Sequence, residues 1–325
     1  MPILSTLSLS LGYSKNGNLK TIQTELDLKL MPGEMVCLIG PNGTGKSTLL
    51  RTLSGLQKAL SGKIQIDKQD LLELSHSEKA ALIALVLTEK IEVDNATVYD
   101  IVSFGRFPYS NWWGNNSEND IDLINKSIDL VHLTNKKQSF FCELSDGERQ
   151  RVMIAKALAQ DTPIIMLDEP TAHLDLPNRV EIMLLLHKLA HTTGKAIVLS
   201  THELDMALQA ADKIWLMTNN KGVECGIPED LVLNGSFNNA FQSKSYVFNS
   251  ANGNFTMNYP MLRNVWVTGN KTRMYWTLRA LSRAGYMVVP EADITININE
   301  KSWQIKEKEL LSVEELLLEL DKLIG

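Results

Sequence analysis

Short apolar runs of strand length recur along the first 200 residues of the chain. Three of them are continuously apolar, namely Met35–Ile39, Ile164–Leu167 and Ala196–Leu199. Such runs are typical of strands that are buried on both faces of a sheet. Two other runs, at Ile3–Leu11 and Leu26–Met31, alternate or mix apolar and polar positions and predict two more strands.

Helix-compatible stretches lie between these runs. The pattern predicts a helix from Ser47 that closes at Gly55, and another over Gly147–Ala159. Ala96–Lys137 is mainly helical in pattern, with an Asn/Trp-rich loop at Asn111–Asn119. Because buried strands alternate with helices, we predict a largely parallel α/β core.

A second, smaller region follows a shift towards Asn, Gly and Pro near Ser250. We predict a module of about sixty residues, with a core domain over 1–260 and this α+β module over 261–325. Its expected elements are strand Val265–Thr268, helix Thr272–Ala284, strand Met287–Val289, a hairpin of Ile294–Ile298 with Trp303–Ile305, and helix Ser312–Ile324. Dimer contact, regulation and a purely structural role all remain open for it. We interpret its Gly269-Asn270 turn as simple turn chemistry rather than an anion cradle.

Composition and charge restrict the kind of protein. The 325 residues are 44% hydrophobic and 22% charged, as in ordinary globular proteins, and no apolar run reaches the length of a membrane span. The start lacks a basic region followed by an apolar stretch, which argues against a secretory signal. A net charge of −6 argues against nucleic acid as a partner. The three scattered cysteines are expected to be free, buried thiols in a reducing cytosol.

A glycine-rich loop joins the run Met35–Ile39 to the first predicted helix. It reads Gly40-Pro41-Asn42-Gly43-Thr44-Gly45-Lys46-Ser47-Thr48 and fits the pattern G-x-x-x-x-G-K-[ST]. Glycines let successive N–H groups point at phosphate oxygens, and the helix N-terminus adds to this. Lys46 is expected to contact the β- and γ-phosphates, and Ser47 to bind Mg²⁺. The loop therefore predicts ATP and Mg²⁺ as ligands.

Two carboxylates end the apolar run Ile164–Leu167. Asp168 is placed where a carboxylate assists in holding the metal, usually through water, and Glu169 where one orients or activates the attacking water. An apolar-Asp-Glu sequence is weak alone, because strands often end in acidic turns. Together with the glycine loop it predicts ATP hydrolysis.

The segment Leu144-Ser145-Asp146-Gly147-Glu148 lies between these two motifs. With a glycine loop before it, an Asp-Glu strand after it and a histidine beyond the next strand, the chain resembles an ATP-binding cassette (ABC) ATPase over roughly residues 1 to 260. The resemblance implies a P-loop fold with a mixed sheet core, an antiparallel β subdomain and a helical subdomain at about 90–160. It also implies two cassettes packed head to tail, with ATP between the glycine loop of one and Ser145 and Gly147 of the other.

The resemblance assigns further roles. It implies that His202 contacts the γ-phosphate beside Glu169, that Tyr13 stacks on adenine, and that Asp175 lies in the loop crossing to the second cassette. The expected catalytic residues are Glu169, His202 and Lys46. The expected nucleotide contacts are Tyr13, Gly40, Pro41, Asn42, Gly43, Thr44, Gly45, Lys46, Ser47, Thr48, Ser145, Gly147 and Asp175. The expected metal contacts are Ser47, Asp168 and Thr88.

Three positions depart from the family pattern. Thr88 stands where the family normally has a metal-contacting glutamine, and its shorter side chain puts direct contact in doubt, although Glu89 could take part of the role. Asp146 and Glu148 replace the commoner Gly and Gln of the serine motif. Their negative charge should weaken nucleotide binding unless they point away or pair with basic residues.

The segment Ser103–Tyr109, with Trp112 and Trp113 after it, resembles the ATPases of iron–siderophore, haem and vitamin B12 importers. Its Arg and aromatic content is typical of a protein interface, although a core role for the tryptophans stays open. The resemblance implies a homodimer on the cytoplasmic face of the membrane, bound to two permease subunits and supplied by an extracytoplasmic binding protein. The alternatives are another ABC transporter, such as an exporter, and a soluble cassette acting on ribosomes or DNA.

Overall fold

The structure is a computed structural model, and it describes residues 1–15, 18–88, 93–109, 116–218, 222–243, 245–251 and 253–324. It divides into two compact units. The large unit comprises Met1–Gln242 with Phe248–Asn254, and the small unit comprises Ser243–Val247 with Phe255–Gly325. Within the described residues, no helix is both long and apolar enough to cross a membrane.

Two sheets and a set of helices form the large unit. In chain order its strands are β1 (Leu4–Lys15), β2 (Asn18–Leu26), β3 (Lys29–Leu30), β4 (Met35–Ile39), β5 (Ser61–Ile66), β6 (Gln69–Asp70), β7 (Ile83–Val86), β8 (Ile164–Asp168), β9 (Ala196–Ser200), β10 (Lys213–Met217) and β11 (Val223–Gly226). Its α-helices are α1 (Lys46–Leu53), α2 (His76–Leu82), α3 (Val98–Ser103), α4 (Glu118–Leu130), α5 (Asp146–Ala159), α6 (Leu176–Thr193), α7 (Leu204–Ala210), α8 (Pro228–Leu233) and α9 (Ser236–Ala240). Short 3₁₀ turns occupy Phe104–Tyr109, Thr134–Lys136 and Phe141–Glu143.

The core sheet has the strand order β11-β10-β4-β9-β8-β7 and is parallel except for the β10–β11 pair. Every residue of β4, β8 and β9 is buried, which confirms the prediction from their continuous apolar runs. The carboxyl ends of parallel strands meet at one edge of the sheet, so β4, β8 and β9 deliver the segments that follow them to the same place.

The antiparallel sheet follows the order β2-β1-β5-β6, with β3 paired to β1. The strand expected over Leu26–Met31 is wrong, because β2 ends at Leu26 and β3 spans only Lys29–Leu30. The Thr6 hydroxyl explains the interruption. It donates to the Leu26 carbonyl at 2.6 Å and accepts from the Leu28 N–H at 2.8 Å, so a side chain replaces the ladder there.

The helical region also differs from expectation at one boundary. Of the loop predicted at Asn111–Asn119, residues 111–115 lie outside the described residues. Helix α4 already begins at Glu118, within the predicted loop. A capping box between Ser117 and Asp120 starts this helix, since each side chain satisfies the other's backbone N–H. The helix predicted over Gly147–Ala159 is confirmed as α5.

The cysteines are free, as expected, but the expectation that all are buried is wrong. Cys37 on β4 is buried, whereas Cys142 and Cys225 are exposed. Cys142 lies within the 3₁₀ turn Phe141–Glu143, and Cys225 lies on β11, which is an edge strand of the core sheet among the strands that the structure describes. Strand and turn position therefore overrode the average tendency of cysteine to be buried.

The hairpin strands β12 (Tyr246–Asn249) and β13 (Asn254–Met257) pair with each other. The small unit then continues with β14 (Arg263–Gly269), α10 (Lys271–Arg283), β15 (Tyr286–Val288), β16 (Thr295–Ile298), β17 (Trp303–Ile305), β18 (Lys308–Leu310) and α11 (Val313–Ile324). Its sheet order is β15-β14-β16-β17-β18, and it has its own core, which includes Leu281, Tyr286 and Leu316. The predicted α+β character is confirmed, while β18 was not predicted. The boundary at 260 stays a prediction.

Candidate functional site

The glycine loop connects β4 to α1 and leaves the helix N-terminus open. Gly45 is the N-cap of α1, with φ of 99°, and makes no side-chain cap. A Cβ at this position would lie 2.5 Å from Cγ2 of Ile22, so both the backbone angle and the space require glycine. The first N–H groups of the helix therefore face outward without a side-chain acceptor from the N-cap, as an anion site requires.

Lys46 is buried at the start of α1, with 7% of its surface exposed. Its Nζ donates to the Gly40 carbonyl at 2.9 Å and the Pro41 carbonyl at 3.3 Å. Burial lowers the pKa of its ammonium group, while the nearby charges of Glu169 and Asp168 oppose that shift. The loop thus holds a desolvated cation beside the open helix end.

The rest of the loop differs in exposure. Asn42 and Gly43 are exposed, Ser47 and Thr48 are half-buried, and Thr44 is buried. The Thr44 hydroxyl donates to the Pro41 carbonyl at 2.9 Å, which closes the turn from inside.

Gln23 of β2 holds the loop from behind, and the sequence analysis missed it. It is 1% exposed. Its Nε2 donates to the carbonyls of Thr44 at 3.1 Å and Thr218 at 3.2 Å, and its Oε1 accepts from the Gly222 N–H at 2.6 Å. The only signal in the sequence was a polar residue in a strand that ends in a buried leucine, Leu26, and the partners of Gln23 are distant in sequence.

Asp168 at the end of β8 lies opposite the loop. Its Oδ1 accepts from the hydroxyls of Ser47 at 3.0 Å and Ser200 at 2.7 Å, and the residue is 6% exposed. Mg²⁺ binds oxygen ligands at about 2.0–2.1 Å in an octahedron, so neighbouring ligand atoms are about 3.0 Å apart. The Ser47 and Asp168 oxygens have this chemistry and this spacing, and they fit a magnesium ion.

Thr88 follows β7 on the other side of Asp168. Its hydroxyl donates to the main-chain carbonyl of Asp168 at 2.8 Å. The structure therefore gives this hydroxyl a positioning contact with the end of β8. Its expected metal contact stays a prediction, and Glu89 lies outside the described residues.

Glu169 and His202 form a pair immediately after the core strands. His202 Nε2 lies 2.8 Å from Glu169 Oε1, and both side chains are partly exposed. Glu169 adopts φ of 51°, a left-handed conformation that costs free energy in a residue with a Cβ. Its N–H donates to the Ser200 hydroxyl at 2.9 Å. Ser200, also missed from sequence, therefore links the backbone of Glu169 to the carboxylate of Asp168.

The serine motif begins α5, where Ser145 is the N-cap. The Ser145 Oγ accepts from the Glu148 N–H at 3.3 Å, and the Glu148 carboxylate accepts from the Ser145 N–H at 3.0 Å. The backbone bond from Ser145 lowers the pKa of Glu148, and Lys136 at 3.3 Å also favours its charged form. Asp146 lies 3.9 Å from Arg149. Both acidic departures from the family pattern therefore have basic neighbours.

Gly147 and Asp175 meet through Asn178. A Cβ on Gly147 would lie 2.5 Å from Asn178 Oδ1, so a larger residue here would displace the Asn178 amide. Asp175 is the N-cap of α6 and accepts from the Asn178 N–H at 3.2 Å and its Nδ2 at 2.6 Å. Tyr13 is 43% exposed on β1, with the Lys20 ammonium 5.8 Å from its ring centre.

Comparison with known proteins places these motifs in a family. The ABC transporter family matches residues 23–172, and the iron ABC transporter C-terminal domain matches residues 262–321. An ABC transporter ATP-binding protein of Methanocaldococcus jannaschii, itself uncharacterised, is 37% identical over 81% of this chain and 89% of its own length. This chain belongs to the ABC transporter ATPases.

Two further matches describe the kind of ABC ATPase it resembles. The achromobactin transport ATP-binding protein of Dickeya dadantii is 35% identical over 71% of this chain and 85% of that protein. A dimeric ATP-binding cassette solved in a post-hydrolysis state with ADP and phosphate has a TM-score of 0.60 and 26% identity, covering 69% of this chain and 98% of that one. The predicted P-loop cassette fold with a C-terminal domain is confirmed, and the ABC ATPase binds and hydrolyses ATP.

The helical region of this ABC ATPase corrects one interpretation. Arg106 was expected to contribute to a protein interface, but it is 7% exposed and therefore internal. Its Nε donates to Asp120 at 2.7 Å, and its Nη1 donates to the Ala159 carbonyl at 2.9 Å. A Cβ on Gly105 would lie 2.3 Å from the Lys156 carbonyl. Gly105 and Arg106 thus pack against the last turn of α5. Trp112 and Trp113, from the same predicted interface, lie outside the described residues.

Proposed function

We propose that this ABC ATPase drives uptake of a ferric chelate of the siderophore type. The observation that carries the proposal is the match of residues 262–321 to the iron ABC transporter C-terminal domain. The similarity to an achromobactin transport ATPase also supports the proposal. That comparison rests on sequence identity over 71% of the chain and not on the match of a single domain. Haem and cobalamin-type chelates are the competing cargoes.

We infer that Mg²⁺ accompanies the ATP. Ser47 and Asp168 supply a hydroxyl and a carboxylate oxygen 3.0 Å apart. Lys46 then compensates phosphate charge beside the open end of α1, in a buried position where electrostatic interactions are stronger. The metal, when bound, neutralises charge on the phosphates.

Glu169 is proposed as the group that accepts a proton from the attacking water. Its carboxylate is partly exposed, so water can reach it, and His202 at 2.8 Å fixes its orientation. Ser200 fixes the backbone of the same residue through a 2.9 Å hydrogen bond. The Asp168 carboxylate accepts hydrogen bonds from the hydroxyls of Ser47 and Ser200, so we assign it to the magnesium site and not to proton transfer.

The functional unit proposed is a homodimer. Ser145 is exposed at the N-terminus of α5, so its hydroxyl is accessible to the nucleotide of a second copy. Ser145 and Gly147 of one copy would complete the nucleotide site of the other, with Asp175 near the crossing and Tyr13 against adenine. The dimeric cassette with ADP and phosphate supports this arrangement by likeness.

Coupling to transport is proposed through two permease subunits at the cytoplasmic face of the membrane, supplied by an extracytoplasmic binding protein. The 3₁₀ turn Phe104–Tyr109 offers two strongly exposed aromatic side chains, Phe104 at 54% and Phe107 at 77%. Arg106 beneath them holds the turn on α5 and so keeps these rings on the surface. Exposed aromatic groups on a rigid support suit a docking contact.

The test is transport by the reconstituted complex. The chain is co-expressed with the permease and binding protein of its own organism and placed in liposomes loaded with ATP. We expect ATP-dependent uptake of a radiolabelled ferric siderophore, no uptake with Glu169→Gln, and little uptake of haem or cobalamin. If haem or cobalamin were taken up preferentially, that compound and not a ferric siderophore would be the cargo. Co-purification with an exporter-type fused subunit, or with ribosomes, would overturn the import proposal.

A further inference from the structure

Two histidines and an aspartate converge on the large unit, away from the glycine loop. His187 and His191 lie one turn apart near the end of α6, and Asp212 immediately precedes β10. Their side-chain ligand atoms all lie within 4.8 Å of one another. Among the residues that the structure describes, this is the one group of three potential ligands at such spacing.

Spacing and chemistry both match a transition-metal site. Residues four apart on a helix share a face, which brings the two imidazoles together, with ring centres 4.4 Å apart. Their Nε2 atoms lie 3.9 Å (His187) and 3.1 Å (His191) from the same oxygen, Oδ1 of Asp212. A tetrahedral ion with bonds of about 2.0–2.1 Å separates its ligand atoms by about 3.3 Å. The observed distances bracket that value.

The carboxylate is also held in place by the fold. Oδ2 of Asp212 accepts from the Met35 N–H at 2.7 Å, and the Asp212 N–H donates to the Met35 carbonyl at 3.0 Å. Oδ1 is thereby turned towards α6. Fixing a ligand through its other oxygen is the arrangement that supports metal affinity in proteins. A simple ion pair between Asp212 and His191 would not require His187 to face the same oxygen.

The group lies at the opposite edge of the core sheet from the nucleotide. Met35 and Asp212 stand at the amino ends of the parallel strands β4 and β10, whereas the glycine loop follows the carboxyl end of β4. Four residue steps along a strand place the two edges about 13 Å apart. All three side chains are partly exposed, so an ion can enter from solvent.

We propose that His187, His191 and Asp212 bind a divalent transition-metal ion, tying the end of α6 to the start of β10. Two imidazoles and one carboxylate suit Zn²⁺ and also Fe²⁺, with water in the remaining positions. This site is separate from the inferred magnesium site, whose ligands are the oxygens of Ser47 and Asp168. The inference does not depend on the cargo proposed for the transporter.

The test uses the full chain, freed of metal with chelator and without nucleotide. Co²⁺ is titrated by its visible absorption, and Zn²⁺ and anaerobic Fe²⁺ by calorimetry. We expect His187→Asn and His191→Asn to lose one bound equivalent or to weaken it by about tenfold or more. His76→Asn, an exposed histidine on α2, should match the unaltered chain.

A second measurement keeps the inference falsifiable if binding elsewhere complicates the titration. Zn²⁺ should raise the melting temperature of the unaltered chain and of His76→Asn, and should raise it less in His191→Asn. ATP hydrolysis should be the same in all three, since neither histidine lies at the nucleotide site. Equal stoichiometry, affinity and melting shift in the unaltered chain and both site variants would overturn the proposal.

Discussion

Two turns of this chain lead from a parallel strand through glycine into a helix. β4 enters α1 at Gly45, and β14 enters α10 at Gly269 and Asn270. The glycines have φ of 99° and 116°, and lysine is the first helical residue in both, Lys46 and Lys271. Strand, glycine, helix and lysine are therefore shared features, and they do not distinguish a phosphate loop from an ordinary turn.

The difference lies in what occupies the helix N-terminus. The Asn270 side chain accepts from the N–H groups of Thr272 at 3.1 Å and Arg273 at 3.2 Å, whereas the N-cap of α1 has no side-chain bond. Lys46 is buried and bonded within its own loop, while Lys271 is exposed. A phosphate site needs free amides and a cation fixed by the loop. A side-chain cap uses the amides that an anion would need.

The largest effect is expected from Glu169→Gln, which tests the carboxylate that we propose as proton acceptor opposite the open N-terminus of α1. Removing the proton acceptor should slow ATP hydrolysis by about 10²- to 10⁴-fold, while ATP is still bound and the dimer persists. Steady-state hydrolysis and size-exclusion chromatography with ATP measure the two properties. Glu319→Gln, in a surface pair with Lys308 of the small unit, is the matched control. Hydrolysis at the normal rate in Glu169→Gln would remove this residue from the mechanism.

Exchanging the two helix-start lysines for alanine tests the comparison directly. Lys46→Ala should weaken ATP binding and hydrolysis by about 10²-fold or more, because a buried cation aimed at the phosphates is lost. Lys271→Ala should leave both unchanged. Binding of a fluorescent nucleotide analogue, together with hydrolysis rates, measures the outcome. If the two variants behaved alike, the burial of Lys46 would have no special significance.

A smaller effect is expected from Gly269→Ala, which should lower the free energy of unfolding. Its Cβ would lie 2.1 Å from the Ile298 carbonyl, a backbone atom that cannot rotate away. With φ of 116° added, we expect a loss of about 1–3 kcal/mol, measured by calorimetric unfolding. Gly235→Ala, which has φ of 84° but no atom within 4 Å of its Cβ, should cost less. Equal losses would mean that the backbone angle alone decides.

The smallest effect is expected from Asn270→Ala, which removes the cap of α10. The free energy of unfolding should fall by about 1 kcal/mol, as when other N-caps are lost, and Asn270→Asp should retain most of it. Denaturant unfolding of the full chain measures the change. Added phosphate should not restore the stability of Asn270→Ala, because no buried lysine accompanies the freed amides. Recovery with phosphate would show that the cap alone distinguishes the two turns.

Prediction from sequence succeeded where the signal was local. The buried strands β4, β8 and β9, helix α5 and most of the small unit follow from apolar runs and turn residues that are contiguous in the chain. The 18 residues of α6 were not predicted, although Asp175 caps its start and Gly194 ends it in a left-handed conformation. Its apolar side chains are spread over several faces, so periodicity gave no clear signal.

Interaction partners at long sequence separation were the main failures. Gln23 reaches Thr218 and Gly222 across about two hundred residues, and Arg106 reaches Ala159. Arg106 in particular was assigned to a protein interface because such interfaces are enriched in arginine and aromatic residues. Asp120 and two carbonyl groups near the end of α5 compensate for its burial, and no sequence pattern indicates that pairing.

The sequence by itself determined the elements of the chemistry: the glycine loop with Lys46 and Ser47, and the carboxylates of Asp168 and Glu169. Each motif lies within a few adjacent residues, where backbone geometry is dictated locally. Only the tertiary structure decided how they meet. Adjacent β8 and β9 place Asp168 opposite Ser200, which bonds both the Asp168 carboxylate and the Glu169 backbone. The same strand order brings Asp212 to the histidines of α6. Strand order depends on the packing of the whole sheet, which no local pattern encodes.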